Sequence, residues 1–209
     1  MLKRAIQGLL SLLGIRSLDD RNRDSDAHWF VDRGCDYYVV ARYSIDAQRW
    51  VSGNLFHHAV EMMLKSGLRK KGKSLEELRR AGHRLTRLWR MYKSEYPDGA
   101  LRRHDKTIKT LDRFEEIRYP NPDLASIGMS IGWSGPPGEI KTFGGLKTPR
   151  QYAAVADQID ELVADILRTS SWNPGVVMRL NQVALEAVTR ENKQAGYLTT
   201  VIPAGGGEP

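Results

Sequence analysis

Leu55-Phe-His-His-Ala-Val-Glu-Met-Met-Leu-Lys-Ser-Gly-Leu68 is the stretch that decides the fold. Its apolar residues Leu55, Phe56, Ala59, Val60, Met62, Met63 and Leu64 cover more than half of a helical wheel, which marks a helix packed on several sides at the centre of a bundle. Asn54, His57, His58, Glu61 and Lys65 share the narrow polar strip that remains, with Glu61 and Lys65 in the favourable i,i+4 order. Upstream, Phe30, Gly34, Tyr37, Tyr38, Ala41 and Ile45 recur at helical spacing from Ala27 to about Trp50, and Ser52-Gly53-Asn54 reads as the turn between the two helices.

Downstream, Ser74-Leu-Glu-Glu77 is a capping box that opens a third helix running to Tyr96, just before Pro97. A fourth helix spans about Gly99 to Tyr119, stopped by Pro120 and Pro122. Residues 120–148 hold six glycines and four prolines and read as a long loop. Thr148-Pro149-Arg-Gln151 combines an N-cap, a first-turn proline and a capping-box glutamine, and Asn173-Pro174 starts a sixth helix. Without repeats or a strong alternating pattern, the expectation is all-α: an antiparallel bundle of five to six helices over residues 27–196. Residues 1–26 are expected to form an amphipathic segment and polar linker, and residues 197–209 a disordered tail.

At 209 residues, with 41% hydrophobic and 27% charged residues, the chain is long enough to bury a core and unlike a disordered polymer. No apolar run approaches the roughly 20 residues of a membrane helix. Cys35 is the single cysteine, which excludes an internal disulfide or a cysteine-cluster metal site and fits a reducing cytoplasm. The start, Met1 to Gly14, has the outline of a signal peptide but is interrupted by Gln7 and Ser11. It reads as a short amphipathic helix, with Leu9, Leu10, Leu12 and Leu13 available to the body or to a partner protein, and a peripheral membrane contact as the lesser alternative.

Charge is uneven along the chain. Between Lys65 and Lys109, fifteen Lys/Arg face five Asp/Glu, a surplus of +10, whereas the remaining residues sum to −3. Such a field favours a polyanion such as RNA or a nucleotide phosphate. On the third helix Leu75, Leu78, Leu85, Leu88, Trp89 and Tyr92 point one way. Arg80, Arg84 and Arg87 form an opposite stripe flanked by Arg79, His83 and Arg90, with no glutamate between Glu77 and Glu95. Arg80, His83, Arg84, Arg87 and Lys65 are therefore candidate phosphate contacts, which give affinity without sequence readout.

The fourth helix carries Leu101, Ile108 and Leu111 on its apolar stripe, with His104, Glu115 and Arg118 in similar directions. A charge turned towards a core needs a partner, so an inward polar cluster is expected where this helix meets the second. His57, His58, Glu61 and Arg118 are its candidate catalytic residues, with a histidine as proton carrier. His57-His58 and His83 are read as lacking the i,i+4 histidine–carboxylate spacing of a zinc helix, so no metal is expected, and no phosphate-cradling glycine motif or nucleophile elbow implies a cofactor.

Asp36-Tyr-Tyr-Val-Val-Ala-Arg-Tyr43, Gly53 to Leu68, Gly82-His-Arg-Leu-Thr-Arg-Leu-Trp89 and Phe114-Glu-Glu-Ile-Arg-Tyr-Pro120 together resemble the HEPN family over about residues 28–120, with looser helical agreement to about residue 193. The resemblance implies an all-α bundle, often dimeric, of the kind found in bacterial toxin–antitoxin, defence and RNA-processing systems. Active members are metal-independent ribonucleases that use an arginine, four to six residues, then a histidine late in the bundle, in a site composed across a dimer. Arg118 stands near that position, yet His104 is the last histidine of the chain. The formal matches, Arg21 and Arg23 with His28, lie ahead of the first core helix. Three functions are therefore expected to compete: RNA or nucleotide binding by a basic helix face, a ribonuclease with a noncanonical site, and a dimerising interaction module.

Overall fold

The computed structural model describes residues 18–46, 51–115, 127–133, 138–143 and 146–202. The molecule is mostly helical. Helix α1 (Leu18–Asp46) lies along α2 (Val51–Lys70), and these are followed by α3 (Leu75–Ala81), α4 (Leu85–Glu95), a 3-10 turn (Gly99–His104) and α5 (Asp105–Arg113). Strands β1 (Ile127–Gly132), β2 (Gly138–Phe143) and β3 (Leu146–Val155) come next, then α6 (Ala156–Thr169), α7 (Pro174–Val177), α8 (Gln182–Thr189) and α9 (Ala195–Thr199). No helix among the described residues is long and apolar enough to cross a membrane.

Helix α2 holds the central place that its wheel implies: Phe56, Ala59, Val60, Met63, Leu64 and Leu68 are all buried. The α1 face towards it is Ala27, Val31, Cys35, Tyr38, Ala41 and Ile45. Leu85, Leu88, Trp89 and Tyr92 of α4, Leu101, Ile108 and Leu111 of the next segment, and Ile159, Leu162, Val163 and Ile166 of α6 complete one continuous core.

In the first half of the fold the boundaries differ from the sequence reading at four places, each for a physical reason. The polar stretch before Ala27 is helical from Leu18, where Asp26 is anchored by an ion pair to Arg69 at 3.0 Å. Ser52-Gly53-Asn54 is the first turn of α2 rather than a loop, and Gly53 is required there. A Cβ on Gly53 would stand 1.9 Å from the Phe114 ring, so glycine is what lets the end of α5 close on the start of α2. The single third helix is two helices, because Gly82 at φ 69° adopts a left-handed backbone that an α-helix cannot contain. The fourth helix begins as a 3-10 turn with Asp98 as its cap.

The segment read as a long loop, and the start of the fifth helix after it, form a small sheet of order β1-β3-β2, in which β1 runs parallel and β2 antiparallel to β3. Thr148-Pro149 therefore lies within β3, and α6 starts at Ala156. The strand signals are present in sequence, as the alternation of Ile127, Met129 and Ile131 and as the Gly144-Gly145 dipeptide between paired Phe143 and Leu146. Tyr197 and Leu198, assigned to the tail, belong to α9, with Leu198 buried. The apolar segment 1–14, Arg118 and residues 203–209 lie outside the described residues.

Candidate functional site

Glu61 is the centre of the site. It is fully buried in the middle of α2, so its charge must be compensated locally. Helical spacing supplies Lys65 one turn on, with Nζ 2.5 Å from Oε1. His83 reaches down from the α3–α4 turn, its Nδ1 3.0 Å from Oε1 and 3.2 Å from Oε2. His58 Nδ1 lies 3.4 Å from Oε2. Burial alone would raise the Glu61 carboxyl; His58, Lys65 and His83 outweigh it and hold it down at about 2.

His57, also fully buried, turns inward beside it. Its Nδ1 is 3.0 Å from the Leu111 carbonyl, and because a carbonyl only accepts, Nδ1 carries the proton and Nε2 the lone pair. That Nε2 is 3.8 Å from Glu61 Oε2 and 3.7 Å from Glu115 Oε2 and makes no hydrogen bond. Burial holds the imidazole below its ordinary range, against the pull of Leu111, Glu61 and Glu115. The Gly53–Phe114 contact is what brings Leu111 and Glu115 to His57.

The cluster reaches solvent at His83, whose side chain is 58% exposed. Its turn is set by local chemistry: the Ser74–Glu77 capping box fixes the start of α3, and Gly82 ends it. Arg84 offers no side-chain cap to α4, and Asp112 of α5 takes that role, accepting from the Leu85 N–H at 2.6 Å and from the Thr86 hydroxyl at 2.7 Å. Arg79, Arg80, Arg84, Arg87 and Arg90 are all exposed around this turn. The break at Gly82 removes the straight stripe expected from one helix, yet Arg87 Nη1 donates to the Arg80 carbonyl at 2.7 Å and ties the two halves together. Arg80 also pairs with Glu76, so part of its charge is neutralised.

A cavity of about 380 Å³ adjoins the cluster, lined by Trp29, Phe30, Met62 and Leu75 together with Lys65 and Arg79. A second, of about 400 Å³, lies between Lys73, Arg87, Arg90 and Glu95. The first was not foreseen. Its available signal is Trp29, a large apolar residue among Ser25, Asp26, Arg33 and Asp36 on the polar side of α1, where it is 56% exposed.

The expected inward cluster thus forms, with a different membership. His57, His58, Glu61 and Lys65 converge, and His83, expected on the outer arginine face, joins them. Lys65 is nearly buried and serves Glu61 rather than the surface. Glu115 meets His57, while Arg118 lies outside the described residues. His104 belongs elsewhere, its Nε2 2.8 Å from Asp165. His28 packs edge-on against Trp172 with ring centroids 4.6 Å apart, a structural contact for the formal Arg–His match. The zinc-helix pattern passed over one spacing: His57 and Glu61 are four residues apart, and with His58 they bring three ligand-type atoms within 4.8 Å of one another.

Comparison of the chain with protein-family models, with curated proteins and with solved structures finds no match.

Proposed function

We propose that the chain is a HEPN-like helical protein that binds RNA or a nucleotide phosphate at the arginine-rich turn between α3 and α4. The observation that carries the reading is the coupling at this turn: exposed His83, set among exposed arginines, is bonded to a buried, ionised Glu61. An ordinary solvated face has no reason to route a surface histidine to a buried carboxylate. Arg79, Arg84 and Arg87 supply phosphate contacts, and the cavity beside Trp29 and Phe30 offers an aromatic surface for a base. Exposed Tyr37, Val40 and Tyr43 on α1 suit a homodimer, and free, buried Cys35 suits a reducing cytoplasm; the bacterial defence or toxin–antitoxin setting follows only from the HEPN resemblance. The test is a titration of labelled single-stranded RNA followed by anisotropy. Binding should be clear at about 50 mM salt and fall steeply by about 200 mM; no binding at the lower salt contradicts the reading.

The Glu61–His83 bond also favours a metal-independent ribonuclease. A carboxylate on Nδ1 orients an imidazole and leaves Nε2 for substrate, the arrangement used by acid–base histidines. His83 would take the proton of a ribose 2′-hydroxyl as its oxygen attacks phosphorus, and a second donor would protonate the departing 5′-oxygen. His57 is too buried to touch a substrate. RNA cleavage in EDTA that His83→Ala abolishes supports this reading; cleavage unchanged by His83→Ala, or none at all, contradicts it.

A further inference from the structure

His57 Nε2 and Glu61 Oε2 are both lone-pair atoms, both buried, and face each other across 3.8 Å, with His58 Nδ1 3.4 Å from the same oxygen. A proton shared between such atoms draws them to roughly 2.7–3.2 Å. A tetrahedral ion with bonds of about 2.0–2.1 Å instead holds its ligand atoms about 3.3 Å apart. The two contacts of Glu61 Oε2, at 3.8 and 3.4 Å, are near that spacing, and all three atoms lie within 4.8 Å of one another, so an ion has to draw them together by no more than about 1.5 Å. Second-sphere order is also in place: His57 Nδ1 is bonded to the Leu111 carbonyl, which fixes the tautomer that offers Nε2. Glu61 Oε1 keeps Lys65 and His83 as partners when Oε2 binds an ion, which displaces from Oε2 only the longer His83 contact at 3.2 Å and the His58 hydrogen bond at 3.4 Å.

From this geometry we infer that His57 Nε2, His58 Nδ1 and Glu61 Oε2 form a site for one divalent transition ion of the zinc class. Two imidazoles and one carboxylate suit that class rather than magnesium or calcium. Three protein ligands leave a fourth position, and Glu115 Oε2, 3.7 Å from His57 Nε2, stands within reach of it. The site rests on the α2 geometry alone and holds whether or not the arginine face binds RNA.

Calorimetric titration of the full chain, stripped with EDTA and dialysed, with zinc chloride tests it. Cobalt serves as a parallel probe whose visible bands report tetrahedral ligation. One ion per chain is expected, and His58→Ala, at a partly exposed position that folding tolerates, should weaken binding by at least about 100-fold. His57→Gln should do the same where circular dichroism shows the variant folded, and Arg80→Gln/Arg84→Gln/Arg87→Gln should leave zinc affinity unchanged. No saturable binding, or binding with unchanged affinity in His58→Ala, overturns the site.

Discussion

Two buried carboxylates in this molecule are compensated in opposite ways. Asp160 of α6 meets Arg42 of α1, and every group around them is committed. The Arg42 Nε donates to the Ala187 carbonyl at 2.7 Å, its other nitrogens bond Asp160 and the Arg190 carbonyl, and the Tyr38 hydroxyl donates to Asp160 at 2.6 Å. Asn192 then donates to the Tyr38 oxygen at 3.1 Å. This network joins α1 to α6 and the C-terminal helices and holds nothing in reserve. Glu61 has more partners than one charge requires: an ammonium and three imidazoles within 4 Å, of which His57 presents a buried Nε2 without a hydrogen bond. A closed network fixes a fold; an over-supplied one open to solvent at His83 has the chemistry to meet a ligand.

The sharpest way to break this contrast is Arg42→Ala. Leaving Asp160 buried without its cation should cost about 3–5 kcal/mol, read as a fall in the denaturation midpoint, with RNA affinity unchanged at temperatures where the variant is folded. If RNA affinity falls with stability intact, Asp160 and Arg42 belong to the functional region after all. Gly53→Ala comes next. Its methyl would enter the Phe114 ring, so about 1–3 kcal/mol should be lost by overpacking, and Leu111 and Glu115 should be displaced from His57 along with α5. Wild-type stability in that variant would show that the α5 end is not seated on α2. The smallest effect concerns a third carboxylate, Asp165, which burial would raise but which bonds from His104 and Arg103 bring below its ordinary value. A depressed carboxyl stabilises the fold above its unfolded value of about 3.9 and loses that contribution as pH falls through the folded value. Asp165→Asn should therefore lower stability modestly near neutrality, flatten the acid limb below about pH 4, and leave the two proteins most alike at the lowest pH.

The sequence made the centre of this fold readable because α2 is buried by its own composition, and the Ser74 box and Asn173-Pro174 start are local signals that packing does not override. The break at Gly82 was not legible, since the leucines on either side keep one helical phase through it; a glycine followed by a histidine that must reach Glu61 was the available hint. The sheet was masked by the glycines and prolines around a short alternation. In the site, the α2 strip could be read from spacing alone. Asp112 capping α4 and the Leu111 carbonyl fixing His57 could not, because both are contacts between elements that no periodicity encodes.

The central claim is that the arginines at the α3–α4 turn contact phosphate. Its most direct test is the slope of log affinity for single-stranded RNA against log salt, measured for the wild type and for Arg79→Gln/Arg84→Gln/Arg87→Gln. Each lost phosphate contact removes about 0.7 from the slope on a single strand, so the triple variant should be shallower by about 2, with stability little changed. Parallel lines for the two proteins would contradict the account.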